Sequence, residues 1–304
     1  MDINKVIITG ASGFIGFNIC KWLITKKVKV IAIINPNSNN NEKILSLSKL
    51  YNNLELIYLD LSDTSSIENT LQIHADYFFH FAAAGVERER LNQDYVERVN
   101  HIALTKILKM AKVFFPKLVI SGSGFEYDVP YLADENSTLI GSSSTHSYAL
   151  SKKNAYLSAK VASKDLNIIW LRPYTIYGPH ESQKRIISYL INCIETQTVP
   201  TINTPHEIRD FLHIEDFISA LEYILKNSKR NLDVFNIGSG EPIKVISIAK
   251  QVYALANKEF KWNSGNSFRE DPPDFVANIE KLKLLGWVPK ISLTEGIVRL
   301  LNHD

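Results

Sequence analysis

The chain has 304 residues, 45% of them hydrophobic, so it can bury a large core in one or two domains. A formal net charge of +2 gives no reason to expect nucleic acid as a partner. Cys20 and Cys193 stand far apart without metal-ligand spacing, and no apolar run approaches the roughly 18 residues of a membrane span. The chain also opens directly into a strand, without room for a leader segment. We therefore expect a soluble cytoplasmic protein with reduced thiols, no membrane partner and no metal site.

A glycine-rich turn follows the first apolar run, Val6–Ile8. Thr9–Gly16 reads T-G-A-S-G-F-I-G, which is typical of a strand, a tight turn and a helix. Gly10 permits the turn, Gly13 lets the backbone approach a phosphate, and Gly16 lets the helix lie close to the sheet. The helix N-terminus would then offer N–H groups to a pyrophosphate. The spacing differs from the standard G-x-G-x-x-G, so a purely structural turn is the alternative. The predicted cofactor contacts in this segment are Gly10, Ser12, Gly13, Phe14, Ile15 and Gly16.

Short apolar runs alternate with helical patterns through the first half of the chain. The predicted strands are Lys5–Ile8, Lys29–Ile34, Glu55–Leu59, Tyr77–Phe81, Lys117–Ser121 and Asn167–Leu171. The predicted helices lie near 14–26, 65–73, 94–115 and 148–165, and Asn35–Asn41 is a predicted surface loop. This order predicts an α/β fold with a doubly wound parallel sheet. After Arg172-Pro173 the alternation weakens, which indicates a second, smaller domain.

Two further motifs carry possible chemistry. Tyr148 and Lys152 stand four residues apart in a predicted helix, so they share one face. A tyrosine has a reference pKa of about 10, and a neighbouring ammonium together with a cationic nicotinamide favours its phenolate. Ser123 follows the predicted strand Lys117–Ser121, at the edge of the sheet where ligands bind. Taken alone, these motifs also fit a solvated helix face and an ordinary Ser/Gly turn.

With these motifs in place, the sequence resembles the extended short-chain dehydrogenases/reductases, the NAD(P)-dependent nucleotide-sugar epimerase, dehydratase and reductase group. The resemblance covers nearly the whole chain. Besides the motifs above, it rests on Asp60–Asp63, His80–Ala83, Asn100, Leu171–Pro179, Arg209–Asp216, Phe235–Gly240 and Leu285–Pro289. It implies a Rossmann domain for NAD(P) over 1–172. Residues 173–304 would mostly form a smaller nucleotide-sugar domain, with some chain returning to the Rossmann sheet.

The resemblance also implies roles for single residues. Ser123 matches the catalytic Ser/Thr, Tyr148 the acid/base, and Lys152 its partner on the nicotinamide ribose. Further implied cofactor contacts are Asp60, Leu61, Phe81, Ala82, Ala83, Asn100 and Pro173. Arg209 matches a contact to the substrate diphosphate, which suits the two-pronged guanidinium, and Arg269 is expected at the same end. The remaining implied substrate contacts are Gly124, Phe125 and Thr175. His80 is expected to be a packed strand-end histidine rather than a proton shuttle.

Departures from the family pattern narrow the reaction. Dehydratases need an Asp-Glu pair directly after the catalytic Ser/Thr, and Gly124 and Phe125 stand there instead. Reductases that also epimerise carry cysteine at the position of Phe125, and UDP-hexose 4-epimerases usually carry asparagine at that of Thr175. Ser121–Tyr127 looks most like the reductases of nucleotide-linked 4-keto-6-deoxyhexoses. We therefore predict NADPH-dependent reduction of such a sugar at C4 for surface polysaccharide.

Two alternatives remain beside the reductase. The first is an NAD-dependent nucleotide-sugar 4-epimerase, which would use the same catalytic residues. The second is a non-catalytic, nucleotide-sensing interaction protein; the intact set of Ser123, Tyr148 and Lys152 argues against it.

The end of the second predicted strand bears on the choice of cofactor. An acid about 20 residues after the glycine turn binds the ribose 2′-OH of NAD and repels a 2′-phosphate. Asn35 stands there, and the first acid is Glu42. We favour NADP, with NAD as the alternative.

The predicted helices 94–115 and 148–165 each carry an apolar stripe. The stripes include Ile102, Ile107, Leu108, Tyr156, Leu157 and Val161. Relatives pair these two helices across a two-fold axis into a four-helix bundle, so the resemblance implies a homodimer.

Overall fold

A computed structural model describes residues 3–85, 92–144, 146–228, 231–265 and 274–303. Their strands are β1 (Lys5–Thr9), β2 (Lys29–Ile34), β3 (Leu54–Tyr58), β4 (Tyr77–His80), β5 (Lys117–Ser121), β6 (Asn167–Pro173), β7 (Thr175–Tyr177), β8 (Thr201–Ile202), β9 (Ile208–Arg209), β10 (Phe211–His213), β11 (Leu232–Ile237), β12 (Ile243–Lys244), β13 (Asn263–Ser264) and β14 (Asp274–Phe275). Their α-helices are α1 (Phe14–Thr25), α2 (Asn41–Leu50), α3 (Thr64–Thr70), α4 (Gln93–Glu97), α5 (Ala103–Phe114), α6 (Ser147–Ala162), α7 (Ile186–Glu195), α8 (Ile214–Asn227), α9 (Val245–Leu255), α10 (Glu280–Leu284) and α11 (Leu293–Leu301). A π-helical turn spans Arg98–Ile102, and a 3₁₀ turn spans Gly124–Glu126.

The chain forms two compact units that interleave along the sequence. The first unit comprises Met1–Glu126, Leu139–Arg172 and Leu225–Phe235. The second comprises Tyr127–Thr138, Pro173–Ile224 and Asn236–Asp304.

The first unit is built on a seven-stranded sheet with the order β11-β6-β5-β4-β1-β2-β3. Strands β1 to β6 pair in parallel, with Ile7 of β1 between Ile31 of β2 and Phe78 of β4. The strands are nearly continuous apolar runs because helices cover the sheet. This architecture confirms the predicted α/β, doubly wound Rossmann fold. Its strand order reverses between β1 and β4, the point where such sheets bind ligands.

Some residues of the predicted apolar stripes are buried in the structure, and others are exposed. Ile107 and Leu108 pack into the core of the first unit, where they are 0% and 7% exposed. They are therefore core residues of a single chain, and their inclusion in the stripe expected to pair with a second copy was wrong. Leu157 and Val161 remain 43% and 70% exposed, and Ile102 is 38% exposed. The ring of Tyr156 is partly buried against this core and lies 5.4 Å from that of Trp170.

Two local predictions differ from the structure. Helix α2 begins at Asn41, the end of the predicted loop, and it was not predicted because its short polar segment buries only Asn41 and Ile44. The predicted helix 94–115 is divided into α4, the π-helical turn and α5. The other helices and strands predicted in the first unit are present, with ends shifted by up to three residues.

The second unit has its own core around α7, α9 and α11. Leu190, Ile248, Val252 and Ile297 are buried there, since each lies on the apolar face of its helix. Three small sheets, β7 with β10, β12-β9-β14, and β8 with β13, complete this unit. Every helix in the described residues is too short or too polar to span a bilayer.

Candidate active site

The glycine turn between β1 and α1 forms a cradle with little room for side chains. Gly10 has a φ of +73°, and a Cβ there would lie 2.5 Å from the Ala82 nitrogen. A Cβ on Gly16 would lie 2.1 Å from the Gly10 oxygen. Helix α1 starts after Gly13, and none of the described side chains caps it. The turn therefore presents backbone and the positive end of a helix, which suits a dinucleotide pyrophosphate. Ser12, Phe14 and Ile15 are partly exposed in the same segment.

Asn35 follows β2 and organises the loop behind it. Its Oδ1 accepts a hydrogen bond from the Asn37 backbone N–H at 2.8 Å, and its carbonyl oxygen accepts one from Asn41 Nδ2 at 2.8 Å. Asp60 lies two residues beyond the end of β3, and its Oδ1 accepts from the Ser62 N–H at 2.8 Å. Leu61 is buried beside it. The amide of Asn35 thus stands at a strand end where NAD-specific sites hold an acid.

The end of β4 lies directly beside the glycine turn. Phe81 donates its backbone N–H to the Thr9 oxygen at 3.2 Å, and Phe81, Ala82 and Ala83 stay at least partly exposed. His80 Nδ1 lies 2.8 Å from Thr9 Oγ1. Burial, together with the charge of Lys152, lowers the pKa of His80 to about 3. His80 is therefore the neutral, packed histidine that was expected.

Ser123 lies directly before the 3₁₀ turn that follows β5. Its backbone N–H donates to Glu126 Oε1 at 2.8 Å, and its Oγ accepts the Phe125 N–H at 3.2 Å. The side chain is buried, with a residue exposure of 5%. Because Oγ already accepts a hydrogen bond, its own hydrogen can be directed to another oxygen. Gly124 is buried in the same turn.

Helix α6 brings Tyr148 and Lys152 to this strand end. His146 caps the helix, since its Nδ1 accepts the Ala149 N–H at 3.3 Å. The ring of Tyr148 meets that of Phe125 edge to face, with centroids 6.4 Å apart. Lys152 Nζ lies 6.0 Å from the centre of the Tyr148 ring and donates to the Ser121 oxygen at 2.8 Å. Burial lowers the pKa of Lys152 to about 8, and the carboxylate of Glu126 opposes that shift.

Asn100 lies in the π-helical turn and is buried. Its Oδ1 accepts the Ala84 N–H at 2.8 Å, and its Nδ2 donates to the Ala84 oxygen at 3.0 Å and to Ser151 Oγ at 2.9 Å. Asn100 therefore joins the chain beyond β4 to α6, the helix of Tyr148 and Lys152. The irregular turn places this amide, and such turns are often found at functional sites.

The remaining predicted site residues belong to the second unit or lie outside the described residues. Pro173 ends β6, and Thr175 in β7 pairs with Phe211 in β10. Arg209 is buried, forms an ion pair with Glu207 and donates to the Ile208 oxygen at 2.8 Å. Arg269 lies outside the described residues.

Sequence reasoning missed a buried ionic cluster behind Ser123. Glu126 and Arg172 are 0% exposed and form an ion pair of 2.8 Å, and Trp170 Nε1 also donates to this carboxylate. The only signal in the sequence was a glutamate among small and apolar residues, and an arginine at the end of a strand that is otherwise apolar. Buried charges of this kind are rarely present without a partner.

Comparison with known proteins finds one matching family and several relatives that cover nearly the whole chain. The family model described as "NAD dependent epimerase/dehydratase family" matches residues 6–238. CDP-abequose synthase of Salmonella typhimurium is 24% identical, with 98% of this chain and 97% of the relative covered. UDP-glucuronate 4-epimerase of Thermodesulfobacterium geofontis is 26% identical, with 97% and 94% covered. The crystal structure of UDP-glucuronic acid 4-epimerase from Bacillus cereus in complex with UDP-glucuronic acid and NAD is 26% identical, covers 96% of each chain and has a TM-score of 0.85.

Proposed function

Because the chain belongs to the NAD dependent epimerase/dehydratase family, we propose that it reduces the C4 keto group of a nucleotide-linked 6-deoxyhexose with NADPH. The observation that carries the proposal is the arrangement around Tyr148. Its ring packs against that of Phe125, and the backbone N–H of Phe125 donates to Ser123 Oγ at 3.2 Å. Phe125 thus contacts the candidate proton donor through its ring and the Ser123 hydroxyl through its backbone N–H.

The first unit would hold the cofactor. The cradle of Gly10, Gly13 and Gly16 fits a pyrophosphate because it presents backbone alone, and a Cβ would clash at Gly10 and Gly16. Asp60 and Leu61 would lie beside the adenine, and Lys152 would lie at the nicotinamide ribose. Residues 81–83 would line the cofactor groove, and Asn100 holds the segment that follows β4 in place through Ala84. When bound, the dinucleotide supplies the hydride.

Three side chains of the first unit would handle the carbonyl oxygen of the substrate. Tyr148 donates its phenolic proton to the oxygen as charge develops there. Ser123 orients the same oxygen through its O–H, since its Oγ already accepts from Phe125. Lys152 places a positive charge 6.0 Å from the Tyr148 ring, which stabilises the phenolate left after proton transfer.

The choice of reduction rests on the two residues that come directly after Ser123. Gly124 and Phe125 have no group that can move a proton, so the site offers one acid/base pair and no second one for dehydration. CDP-abequose synthase is among the relatives, and its name is that of neither an epimerase nor a dehydratase. The second candidate is a 4-epimerase, which the relative from Thermodesulfobacterium geofontis favours. An epimerase would oxidise and re-form the C4 hydroxyl with no net use of cofactor.

NADP is the proposed cofactor because Asn35 takes the place of an acid. Its amide carries no charge to repel a 2′-phosphate, and Ser38 in the same loop adds a hydroxyl. NAD is the alternative, since the neighbouring structure from Bacillus cereus is a complex with NAD.

The second unit is the proposed binding region for the nucleotide sugar. In this unit Arg209 and Arg269 are the proposed contacts to the diphosphate, and Thr175 is a proposed contact to the sugar. Gly124 and Phe125 remain proposed substrate contacts of the first unit. Arg209 is buried, and its ion pair with Glu207 fixes the orientation of its guanidinium. We propose that the cofactor-binding domain ends near residue 172 and that the sugar-binding domain lies mostly beyond it. We also propose that the reaction takes place in the cytoplasm, where a diffusible dinucleotide is available.

A homodimer is also proposed, through the exposed apolar residues of α6. Leu157 and Val161 lie four residues apart on one face and remain 43% and 70% exposed. Light scattering at micromolar concentration checks this: we expect twice the chain mass, and a monomer would contradict it.

The experiment that tests the reaction uses NADPH deuterated at the transferred position. The substrate is a nucleotide-linked 4-keto-6-deoxyhexose, and the product is analysed by NMR. We expect one deuterium at C4 of the product sugar. Recovery of the 4-keto sugar without deuterium, together with inversion of the C4 hydroxyl of a nucleotide-linked hexose in a parallel reaction without added cofactor, would support the epimerase.

A further inference from the structure

The carboxylate of Glu126 is an unusual feature of the first unit because it is completely buried and accepts from N–H groups of the described residues at both oxygens. Oε1 accepts from the Ser123 N–H at 2.8 Å and from Trp170 Nε1 at 3.1 Å. Oε2 accepts from Arg172 Nε at 2.8 Å and from Trp170 Nε1 at 3.2 Å. Burial raises the pKa of Glu126, while the Arg172 guanidinium and these donors oppose the rise. This donor set matches an ionised carboxylate, which accepts at both oxygens.

The same residue holds the backbone of Ser123 from both sides. The Ser123 N–H donates to the Glu126 side chain, and the Glu126 N–H donates to the Ser123 oxygen at 3.1 Å. Gly122 leaves the necessary space, since a Cβ there would lie 2.1 Å from Glu126 Oε1 and 2.2 Å from Trp170 Nε1. The position of Ser123 Oγ is therefore coupled to the position of a buried charge.

The cluster also reaches the helix that carries Tyr148 and Lys152. The Arg172 guanidinium lies 4.7 Å from the centre of the Tyr156 ring, and the Trp170 ring lies 5.4 Å from it. Tyr156 stands one helical turn after Lys152 on α6. One ionic cluster thus contacts both the Ser123 turn and α6.

Few charged groups face the ammonium of Lys152 in the described residues. Glu126 attracts it from the 3₁₀ turn, Tyr148 lies 6.0 Å away on its own helix, and His80 on β4 is neutral at physiological pH. The positive charge of Arg172 is neutralised by its ion pair with Glu126. Lys152 Nζ donates to the oxygen of Ser121, and Glu126 Oε1 lies against Gly122, the next residue of the same strand end. Glu126 is therefore the acidic group of this turn that offsets the burial of the Lys152 charge.

We propose that Glu126 is a positioning residue: its buried carboxylate fixes Ser123 relative to α6 and places a negative charge in the turn to which Lys152 is bonded. The proposal rests on the proposed function only in that Ser123, Tyr148 and Lys152 act in the reaction. It assigns to Glu126 no contact with substrate or cofactor. Arg172 and Trp170 hold its carboxylate in place.

The test compares Glu126→Gln with Trp170→Phe. The first variant keeps the shape of the side chain and removes its charge, whereas the second removes one hydrogen-bond donor and leaves the charge. In Glu126→Gln we expect the alkaline limb of the pH–rate profile to move down by about one pH unit, because Lys152 loses its ammonium earlier. We also expect kcat to fall by about 10- to 100-fold through misplacement of Ser123, with little change in KM. Trp170→Phe should lower Tm and leave the alkaline limb in place.

A purely structural role would give a different pattern. The proposal is overturned if Glu126→Gln keeps the wild-type profile and kcat, or if both variants lose activity only in proportion to Tm. Should Glu126→Gln not fold, Glu126→Asp carries the test, because it keeps the charge but is one methylene shorter. That variant should keep the alkaline limb and lower kcat; an unchanged kcat would overturn the positioning role.

A readout without turnover separates this proposal from the assignment of the reaction. Protein labelled with ¹³C-lysine is titrated by NMR, and Lys152 is assigned from the signal lost in Lys152→Arg. We expect its titration midpoint to be lower in Glu126→Gln than in wild type, whichever reaction the enzyme catalyses. Equal midpoints would overturn the electrostatic role of Glu126, while a failed reductase assay with shifted midpoints would leave it standing.

Discussion

Lys152 Nζ donates a hydrogen bond of 2.8 Å to the backbone oxygen of Ser121. This bond ties α6 to the end of β5, two residues before Ser123. The helix that carries the proposed proton donor and the turn that carries the proposed orienting hydroxyl are thereby fixed to one another. The register of strand and helix, rather than a flexible loop, sets the geometry of the candidate site.

Tyr148→Phe tests the proton donor. The variant keeps the ring that packs against Phe125 and removes only the hydroxyl. We expect turnover to fall by about two to four orders of magnitude, the range for loss of general acid–base catalysis. Binding of the dinucleotide, measured by calorimetry, should persist because the glycine cradle and Lys152 are unchanged. Near-normal turnover would end the assignment.

Gly16→Ala tests the cradle. The added Cβ would lie 2.1 Å from the Gly10 oxygen, a backbone atom, so the turn has to shift. Such overpacking costs about 1–3 kcal/mol, and we expect a lower Tm and roughly 10- to 100-fold weaker dinucleotide binding. Gly141→Ala is the matched control, because its nearest neighbour would be 3.6 Å away at the Ser143 hydroxyl. Equal dinucleotide affinities in the two variants would count against a cofactor site at this turn.

Asn35→Asp tests the choice of cofactor. The substitution keeps the size of the side chain and its hydrogen bond to the Asn37 N–H, but adds a charge where a 2′-phosphate is proposed. We expect the ratio of NADPH to NADH specificity to fall by about tenfold or more through repulsion. Asn39→Asp, on an exposed residue of the same loop, is the control and should change the ratio little. A ratio that stays constant in Asn35→Asp would refute the proposed position of the phosphate.

The lowered pKa of the buried His80 is expected to make the stability of the fold depend on pH. Its pKa is about 3 in the folded chain, against a reference value of about 6.5, so only the unfolded chain takes up this proton between these values. The free energy of unfolding should therefore decrease as the pH falls from about 6 to 4. In His80→Asn this slope should be smaller by about 1.4 kcal/mol per pH unit. Urea titrations across this range provide the measurement.

His206→Gln is the control for that series, because His206 is exposed. It should keep the slope of the wild type. A slope that is the same in all three proteins would show that His80 takes up a proton in the folded state.

The sequence was most informative where local pattern and burial agree. The alternation of buried strands such as Lys29–Ile34 with helices predicted the Rossmann sheet, since a parallel sheet requires crossover helices. Helix α2 escaped prediction because its polar segment has no wide apolar face. The break of the predicted helix 94–115 at Arg98–Ile102 also has no signal in periodicity. There Asn100 bonds to Ala84 and Ser151, which come from distant segments.

The candidate site was predictable only in part, for a related reason. The glycines, Ser123, Tyr148 and Lys152 are visible as motifs because their spacing is local. The pairing of Glu126 with Arg172 joins residues 46 positions apart, so neither charge indicates its partner. Ile107 and Leu108 were misplaced because a stripe on a helix does not say which neighbour covers it.

The most direct test of the reaction follows the absorbance of the reduced nicotinamide while the sugar is converted. Purified protein is mixed with NADPH and a nucleotide-linked 4-keto-6-deoxyhexose, and the cofactor content of the protein is measured first. We predict a preparation largely free of cofactor that oxidises one NADPH for each sugar reduced at C4. Tightly bound NAD, with the C4 hydroxyl of a nucleotide sugar inverted and no net use of cofactor, would contradict it.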